Sequence, residues 1–408
     1  WTYSVWVKRN KLGASQGIIS SGSTTNYIYF PANDHLQIEE YSGSPQYSVR
    51  TNRVFRDTNA WYHIVVAMDT TQATASDRIK LYVNGVRETD IYTSYLYYPS
   101  QNFDTNWNSA VAHTIGSLDT GTNFDGSMSH INFVDGTAEL PTAFGETDAN
   151  GVWKIKTSPS VTYGTNGFFI LKDGNSVTDQ SGEGNNFTVG GGTLTKTEDN
   201  PSNVFATFNP LDVNAGTVTT FSNGNTTTMH NAGNNGAVNA SRSTLGYSSG
   251  KWYWESKCIA TGGDVRTGII SMSSSDYNTQ TNPFTLNECY NYKKNGDKGS
   301  WGDANNPYGA TYTAGDIIGI AHDVSAGTLI FYKNGVSQGT AFTGLSTSLF
   351  WGAFSSEYNQ GKLSHNFGNG YFGTTAVSSA GTNASGNGIF EYDCPTGYTA
   401  LSTKGLNL

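Results

Sequence analysis

The chain opens in strict alternation, Trp1-Thr2-Tyr3-Ser4-Val5-Trp6-Val7, which sends successive side chains to opposite faces of an extended strand. Similar apolar runs at 17–21, 27–30, 35–39, 61–68 and 79–83 are separated by Gly, Asn, Ser and Pro. Short strands punctuated this way predict a β-sandwich. At 79–86 the pattern is Ile79-Lys80-Leu81-Tyr82-Val83-Asn84-Gly85-Val86, and Asn-Gly supplies the two positive-φ residues of a tight hairpin turn. The same device returns at Asn334-Gly335, after apolar strands at 316–323 and 328–333. Two such units so far apart are too distant for a solenoid repeat and predict two β domains in series. Between them, residues 173–197 lose the pattern and include Gly190-Gly191-Gly192, so we expect domains at 1–198 and 199–408. Sustained helical periodicity is missing, and a short turn around 142–154 is the one helical expectation. Because the pattern is already running at Trp1, with no Met and no signal peptide ahead of it, the first domain is expected to be truncated at its N-terminus.

Composition narrows the classes. Charged residues make up 13% of the chain, against about 25% in a typical soluble domain, too few to clothe many surface helices. The expected fold class is therefore all-β, two antiparallel β-sandwiches in series. A net charge of −9, with Lys293, Lys294 and Lys298 as the densest basic cluster, argues against gripping a nucleic-acid backbone. No apolar run approaches the roughly 20 residues of a membrane-spanning helix, so no membrane insertion is expected. The odd count of cysteines, Cys258, Cys289 and Cys394, fits buried free thiols better than a disulfide framework, with one pair left open.

Several motifs resemble known families. Residues 3–9, Trp61-Tyr62-His63-Ile64-Val65-Val66, Leu81-Tyr82-Val83-Asn84-Gly85-Val86, Ile115-Gly116 and Phe124-Asp125-Gly126-Ser127-Met128 come in an order that resembles a laminin-G-like, concanavalin A-like jelly roll over 1–198. In the second half, Gly250-Lys251-Trp252-Tyr253-Trp254-Glu255, residues 315–321, residues 327–336 and residues 363–368 resemble a SPRY domain over 199–408. The ending Pro395-Thr396-Gly397-Tyr398-Thr399-Ala400-Leu401 is similar to the tail of SPRY-bearing structural proteins of tailed bacteriophages. This pairing implies a non-catalytic virion surface protein, on the tail or the capsid exterior. The favoured role is a tail-fibre or tail-associated adhesin that binds host-surface glycan or protein beside other virion proteins, with a trimer as the family-level expectation. The alternatives are a capsid decoration or cement protein, a polysaccharide depolymerase and a cellular lectin.

Each of these roles makes its own demand on residue chemistry. A retaining glucanase on this fold needs paired carboxylates about 5 Å apart, but Glu88-Thr89-Asp90, Glu146-Thr147-Asp148 and Glu391-Tyr392-Asp393 all lack the third acid at the required spacing. No histidine sits in a nucleophile motif; His63 reads as a core or edge residue and His322-Asp323 as a turn. No catalytic residue or resident cofactor is therefore assigned. Calcium stays open through Asp119, Asp125 and Asp179, which stand in Gly- and Asn-rich loops like those of lectin relatives; turn-forming Asp is the alternative. Candidate ligand-binding rings are Tyr92, Tyr95, Tyr97, Tyr98 and Trp107, with Trp301 in the second half, because rings offer large contact area at low entropic cost. The same rings could instead fill the sandwich. The SPRY resemblance also implies partner-recognising loops at 276–287 and 295–308.

Overall fold

The computed structural model describes residues 1–22, 25–118, 121–172, 174–214, 219–230, 239–279, 287–300, 306–378, 383 and 385–407. The chain is all-β and divides into two compact units, the first comprising Trp1–Lys196 and Asn200–Ser202, the second Thr197–Asp199 and Asn203–Leu408.

In the first unit a six-stranded sheet runs in the order Phe168–Ile170, Gly126–Val134, Thr2–Arg9, Tyr62–Met68, Ile79–Val83 and Val86–Arg87. Facing it is a five-stranded sheet of Pro45–Val54, His35–Tyr41, Thr25–Phe30, Gln16–Ser21 and His113–Ile115. Tyr3, Val5 and Val7 from the first sheet meet Ile28, Phe30, Leu36, Ile38 and Val49 from the second in one apolar core. The intervening residues of Thr2–Arg9 are buried too, because the outer face of the six-stranded sheet is roofed by Phe144 and Tyr163, which pack against its Val65, Ala67 and Phe169. Full burial on both faces explains why this strand carries aromatics at both parities.

The second unit pairs a seven-stranded sheet with an eight-stranded one. The first contains Ser241–Tyr247, Trp351–Tyr358, Asp264–Ser271 and Cys289–Lys293 as consecutive neighbours; the second contains Thr227–His230, Lys362–Asn366, Lys251–Ala260, Ile317–Asp323, Thr328–Lys333 and Val336–Phe342. Trp252, Trp254 and Cys258 alternate into the core with Leu329, Phe331 and Trp351. Residues 387–403 return against this sheet: Thr399–Ala400 pairs in parallel with Trp252 and Tyr253, and the Phe390 ring meets Tyr253 edge-on at 5.0 Å.

Both Asn-Gly turns form. Asn84 and Gly85 take φ of 48° and 80°, and Asn334 and Gly335 take 48° and 79°. Each Asn side chain also accepts a backbone N–H from the neighbouring strand, from His63 and Ile317 respectively, both at 2.8 Å. All three cysteines are free and buried. No helix among the described residues is long and apolar enough to cross a membrane.

Candidate functional site

His63 and Ser4 are neighbours on the outer face of the six-stranded sheet, with His63 Nε2 2.9 Å from Ser4 Oγ. A Ser–His contact of this length invites comparison with a nucleophile and its base, but the far side of the ring decides otherwise. Trp153 Nε1–H donates to His63 Nδ1 at 3.0 Å, so in the neutral ring the proton sits on Nε2 and points at the serine. A general base needs the reverse tautomer. Burial holds the imidazole down at about 3, and Trp6 and Trp153 stack on it at 4.7 and 5.9 Å. Trp153 can lie there because Gly85 and Gly145 leave room; a Cβ on either would stand 2.6 or 2.4 Å from the indole. His63 therefore pins the hairpin Gly145–Thr147/Trp153–Ile155 to the sheet.

His322 and Asp323 point apart, as adjacent strand residues must. The His322 ring lies in the core against Trp351, with Tyr247 Oη 3.0 Å from Nδ1, while Asp323 pairs with Lys251 at 2.9 Å and accepts the Ala326 N–H at the turn. The three Glu-x-Asp triplets are likewise structural: Glu88 pairs with Arg53, Asp148 accepts the Asn150 and Val152 amides and pairs with Lys154, and Glu391 accepts from Ser378.

The aromatic stretch is partly at the surface. Tyr92, Tyr95 and Tyr97 are 41%, 39% and 57% exposed, whereas Tyr98 packs on the core. Residues 90–97 run beside the edge strand Pro45–Val54 through the Tyr92 N–H to Arg50 O and reciprocal Ser48–Tyr97 bonds. Tyr95 is held over the Arg50 guanidinium, 3.4 Å from ring centroid to Cζ. Arg50 Nε donates to Gln37, Gln37 donates to Glu39, and the Tyr29 hydroxyl donates to the same carboxylate. The result is an ordered aromatic and polar patch on the outer face of the five-stranded sheet. Trp107 is not part of it. That ring is fully buried and its Nε1–H donates to Tyr47 Oη at 2.7 Å.

Of the acids considered for calcium, Asp119 lies outside the described residues, and Asp125 is exposed. Both oxygens of Asp179 are occupied by donors: the amides of Phe169, Ser181 and Asn185 and the Ser181 hydroxyl, all within 2.7–2.9 Å. Among the described residues no group of three or more His, Cys, Asp or Glu is arranged to hold a metal ion. Trp301 and residues 280–286 and 301–305 of the two SPRY loops also lie outside the described residues.

The described part of the first SPRY loop is tightly anchored. Arg242 forms a bidentate pair with Asp212 at 2.6 and 3.0 Å, donates to Met272 O, and lies 4.1 Å over the Tyr277 ring. Tyr277 in turn donates to the carbonyls of Asp212 and Ala240. Beside it the Met272 N–H donates to Phe350 O, which brings residues 272–279 and 343–350 to one end of the sandwich. Phe350 is 45% exposed there, next to half-buried Leu349.

Sequence reasoning missed a polar network crossing the core of the second unit. His365 Nδ1 lies 2.8 Å from Ser256 Oγ, which meets Thr267 Oγ1 of the opposite sheet at 2.8 Å. On the other side, His365 Nε2 is 3.0 Å from Thr228 Oγ1, and both Thr228 and Ser355 donate to Glu357 Oε1. Because Thr228 gives its proton to the carboxylate, its oxygen is left to accept from His365 Nε2–H, and Ser256 then donates to Nδ1. Burial pushes Glu357 up to about 7 and His365 down to about 3. The clearest sequence signal was a Glu and a His inside strands otherwise buried on both faces.

Residues 251–370 match the SPRY domain family, and residues 1–139 match the concanavalin A-like lectin/glucanases superfamily. The chain thus carries a concanavalin A-like domain and a SPRY domain in series. It is similar to Ran-binding protein 9 of Danio rerio, 36% identical over 104 residues that make up 25% of this chain and 17% of that protein. It is also similar to the E3 ubiquitin-protein ligase RKP of Arabidopsis thaliana, 33% identical over 97 residues, 24% of this chain and 7% of that protein. Ran-binding protein 9 of Homo sapiens is 35% identical over 104 residues, 25% of this chain and 14% of that protein. The matched stretch is thus less than a fifth of each relative's length. Among solved structures, the SPRY domain of human HERC1 aligns with 39% of this chain and 96% of its own, at 19% identity and a TM-score of 0.33.

These relatives correct the functional expectation. A bacteriophage tail-fibre adhesin, a capsid decoration or cement protein and a virion-surface location conflict with similarity to eukaryotic Ran-binding proteins and an E3 ligase. The virion partners fall with them. The tail motif misled because its residues serve the fold: Thr399 and Ala400 extend the sheet at Trp252 and Tyr253, beyond the stretch that matches the SPRY family. What stands is that both domains belong to families that are mostly binding modules, with SPRY domains mediating protein–protein contacts.

Proposed function

We propose that this chain is a protein-interaction module whose SPRY unit docks a segment of a partner protein at the sandwich end formed by residues 272–279 and 343–350. The observation that carries this reading is the SPRY match over 251–370, the same half of the chain that presents an exposed aromatic on an anchored loop end. Anchoring matters energetically. Arg242 and Tyr277 fix the loop before a partner arrives, so less conformational entropy is lost on docking. Phe350 and Leu349 supply the apolar contact, and a central ring in a partly desolvated setting is the kind of residue that dominates an interface.

The patch of Tyr92, Tyr95 and Tyr97 is assigned a second contact surface, supported by the Arg50–Tyr95 stacking that holds one ring in place.

A random-peptide display selection against the whole chain tests the principal reading. A selected peptide, measured by calorimetry, is expected to bind about ten-fold more weakly to Phe350→Ser, a change worth about 1.4 kcal/mol, and equally well to Tyr97→Ser. Failure to select any peptide, or peptides indifferent to Phe350, would remove the assignment to this end.

A further inference from the structure

The C-terminal return of the second unit, which lies beyond the SPRY match, is fastened by one buried carboxylate. Glu255 alternates with Trp254 and Ser256 and so faces away from the opposite sheet, under residues 389–392. Its Oε2 accepts the Glu391 N–H at 2.8 Å and its Oε1 the Tyr392 N–H at 2.9 Å. The Tyr253 hydroxyl and the Asn366 amide complete the shell at 3.3 and 3.4 Å. Around this latch, Asn366 Nδ2 also donates to Ile389 O, Ile389 N–H donates to Gly368 O, and Tyr392 lies against Gly335. Glu255 is fully buried, and these four partners are all neutral donors.

The cations nearby are engaged elsewhere, Lys251 with Asp323 among them, and no ammonium or guanidinium of the described residues pairs with the carboxyl. Its own strand contributes Tyr253, and Lys257, whose ammonium lies 5.6 Å over the Phe372 ring. The returning segment contributes Glu391, Tyr392 and Cys394, and the adjacent strands contribute Tyr332 and Asp316, the latter paired with Lys333 at 3.2 Å.

We propose that Glu255 is a pH-sensitive latch for the C-terminal strap, residues 387–403, which docks most tightly when the carboxyl carries its proton and loosens as it ionises. Docking strips water from the carboxyl, so the docked state prefers the neutral form, and by reciprocity the proton favours the docked state. The Tyr253 hydroxyl donates to Oε1 of the ionised carboxylate, and in the neutral form it turns to accept the carboxyl proton. Burial outweighs the four donors and raises the carboxyl to about 7. The strap therefore gains its full grip below the ordinary carboxyl range and loses this contribution as pH rises through about 7. Release at alkaline pH would uncover Tyr253 and the Phe390 side of the sheet.

Amide exchange on the whole chain tests the latch at pH 6 and pH 8, with intrinsic rates corrected. Protection of 387–403 is expected to fall roughly three-fold or more at the higher pH relative to the strand Ile317–Asp323, and this fall should vanish in Glu255→Gln. Strap protection that does not respond to pH overturns the proposal, as does a response that survives unchanged in Glu255→Gln. Because that variant could also disturb folding, the unaltered chain supplies a second readout: the Glu255 side-chain carboxyl followed by carbon NMR. A midpoint between about 6 and 8 supports the latch, and one below about 5 overturns it.

Discussion

The two units share a hairpin device and differ in what lies between their sheets. In each, an Asn-Gly turn with both residues at positive φ is locked by the Asn side chain onto the neighbouring strand. In the first unit the sheets meet mainly through aliphatic and aromatic side chains with two small buried polar contacts, Trp107–Tyr47–Asn26 and Arg9 with Asp34, and the larger polar networks sit on the outer faces, around Arg50 and around His63. In the second, Thr228, Ser256, Thr267, Ser355, Glu357 and His365 join the sheets through hydrogen bonds in the middle of the core. An apolar core tolerates changes that keep its volume, whereas a buried polar network is costly unless every member finds its partner. The second unit should therefore be the less forgiving of the two at its centre.

The largest effect follows from breaking that network. His365→Ala removes the residue that bridges both sheets and leaves three hydroxyl groups short of a partner, so a loss of about 3–5 kcal/mol is expected by urea unfolding. A loss below about 1 kcal/mol would show the network to be incidental. In the first unit, Trp107→Phe keeps most of the ring and removes one donor to the Tyr47 hydroxyl, which still donates to Asn26 at 3.1 Å, and about 1 kcal/mol should be lost. If this change matched the His365 variant, the contrast between the two cores would disappear.

The pH response sharpens the same contrast. Glu357 and Glu255 both stand at about 7 in the folded unit, above the ordinary value, so each contributes stability that is complete at low pH and declines as pH rises through 7. His365 and His322, held at about 3 and about 4 in the same unit, oppose this below about pH 6.5, where the unfolded imidazole takes up a proton. Between about pH 6.5 and 8 each glutamate should then lower the second unit's stability by on the order of 1 kcal/mol. Exchange of the Asp264–Ser271 amides would measure it, and Glu357→Gln should reduce the slope. The smallest effect belongs to the surface: Tyr97→Ser should change thermal stability by less than about 0.5 kcal/mol, and a larger loss would mean the ring is a packing element.

Much of the fold was legible because it follows local rules. Alternation along residues 1–7, the two Asn-Gly pairs and the shortage of charge gave strands, hairpins and the all-β class. The aromatic stretch was harder to read. Tyr92, Tyr95 and Tyr97 reach the surface while Trp107, ten residues on, fills the core, and nothing in residue type separates the two outcomes. The phage expectation fails for a related reason, since residues such as Thr399 and Ala400 that extend a sheet carry no mark of one biological setting.

By itself, the sequence determined which segments extend, where the chain turns and that polar residues interrupt some buried strands, since each follows from neighbours a few positions apart. Tertiary structure alone decided that Thr228 would meet His365 and Glu357, and that Glu255 would lie beneath Glu391 and Tyr392. Those partners are more than a hundred residues distant along the chain. Burial, which sets both the cost of a charge and the strength of a hydrogen bond, exists only once the two sheets have closed.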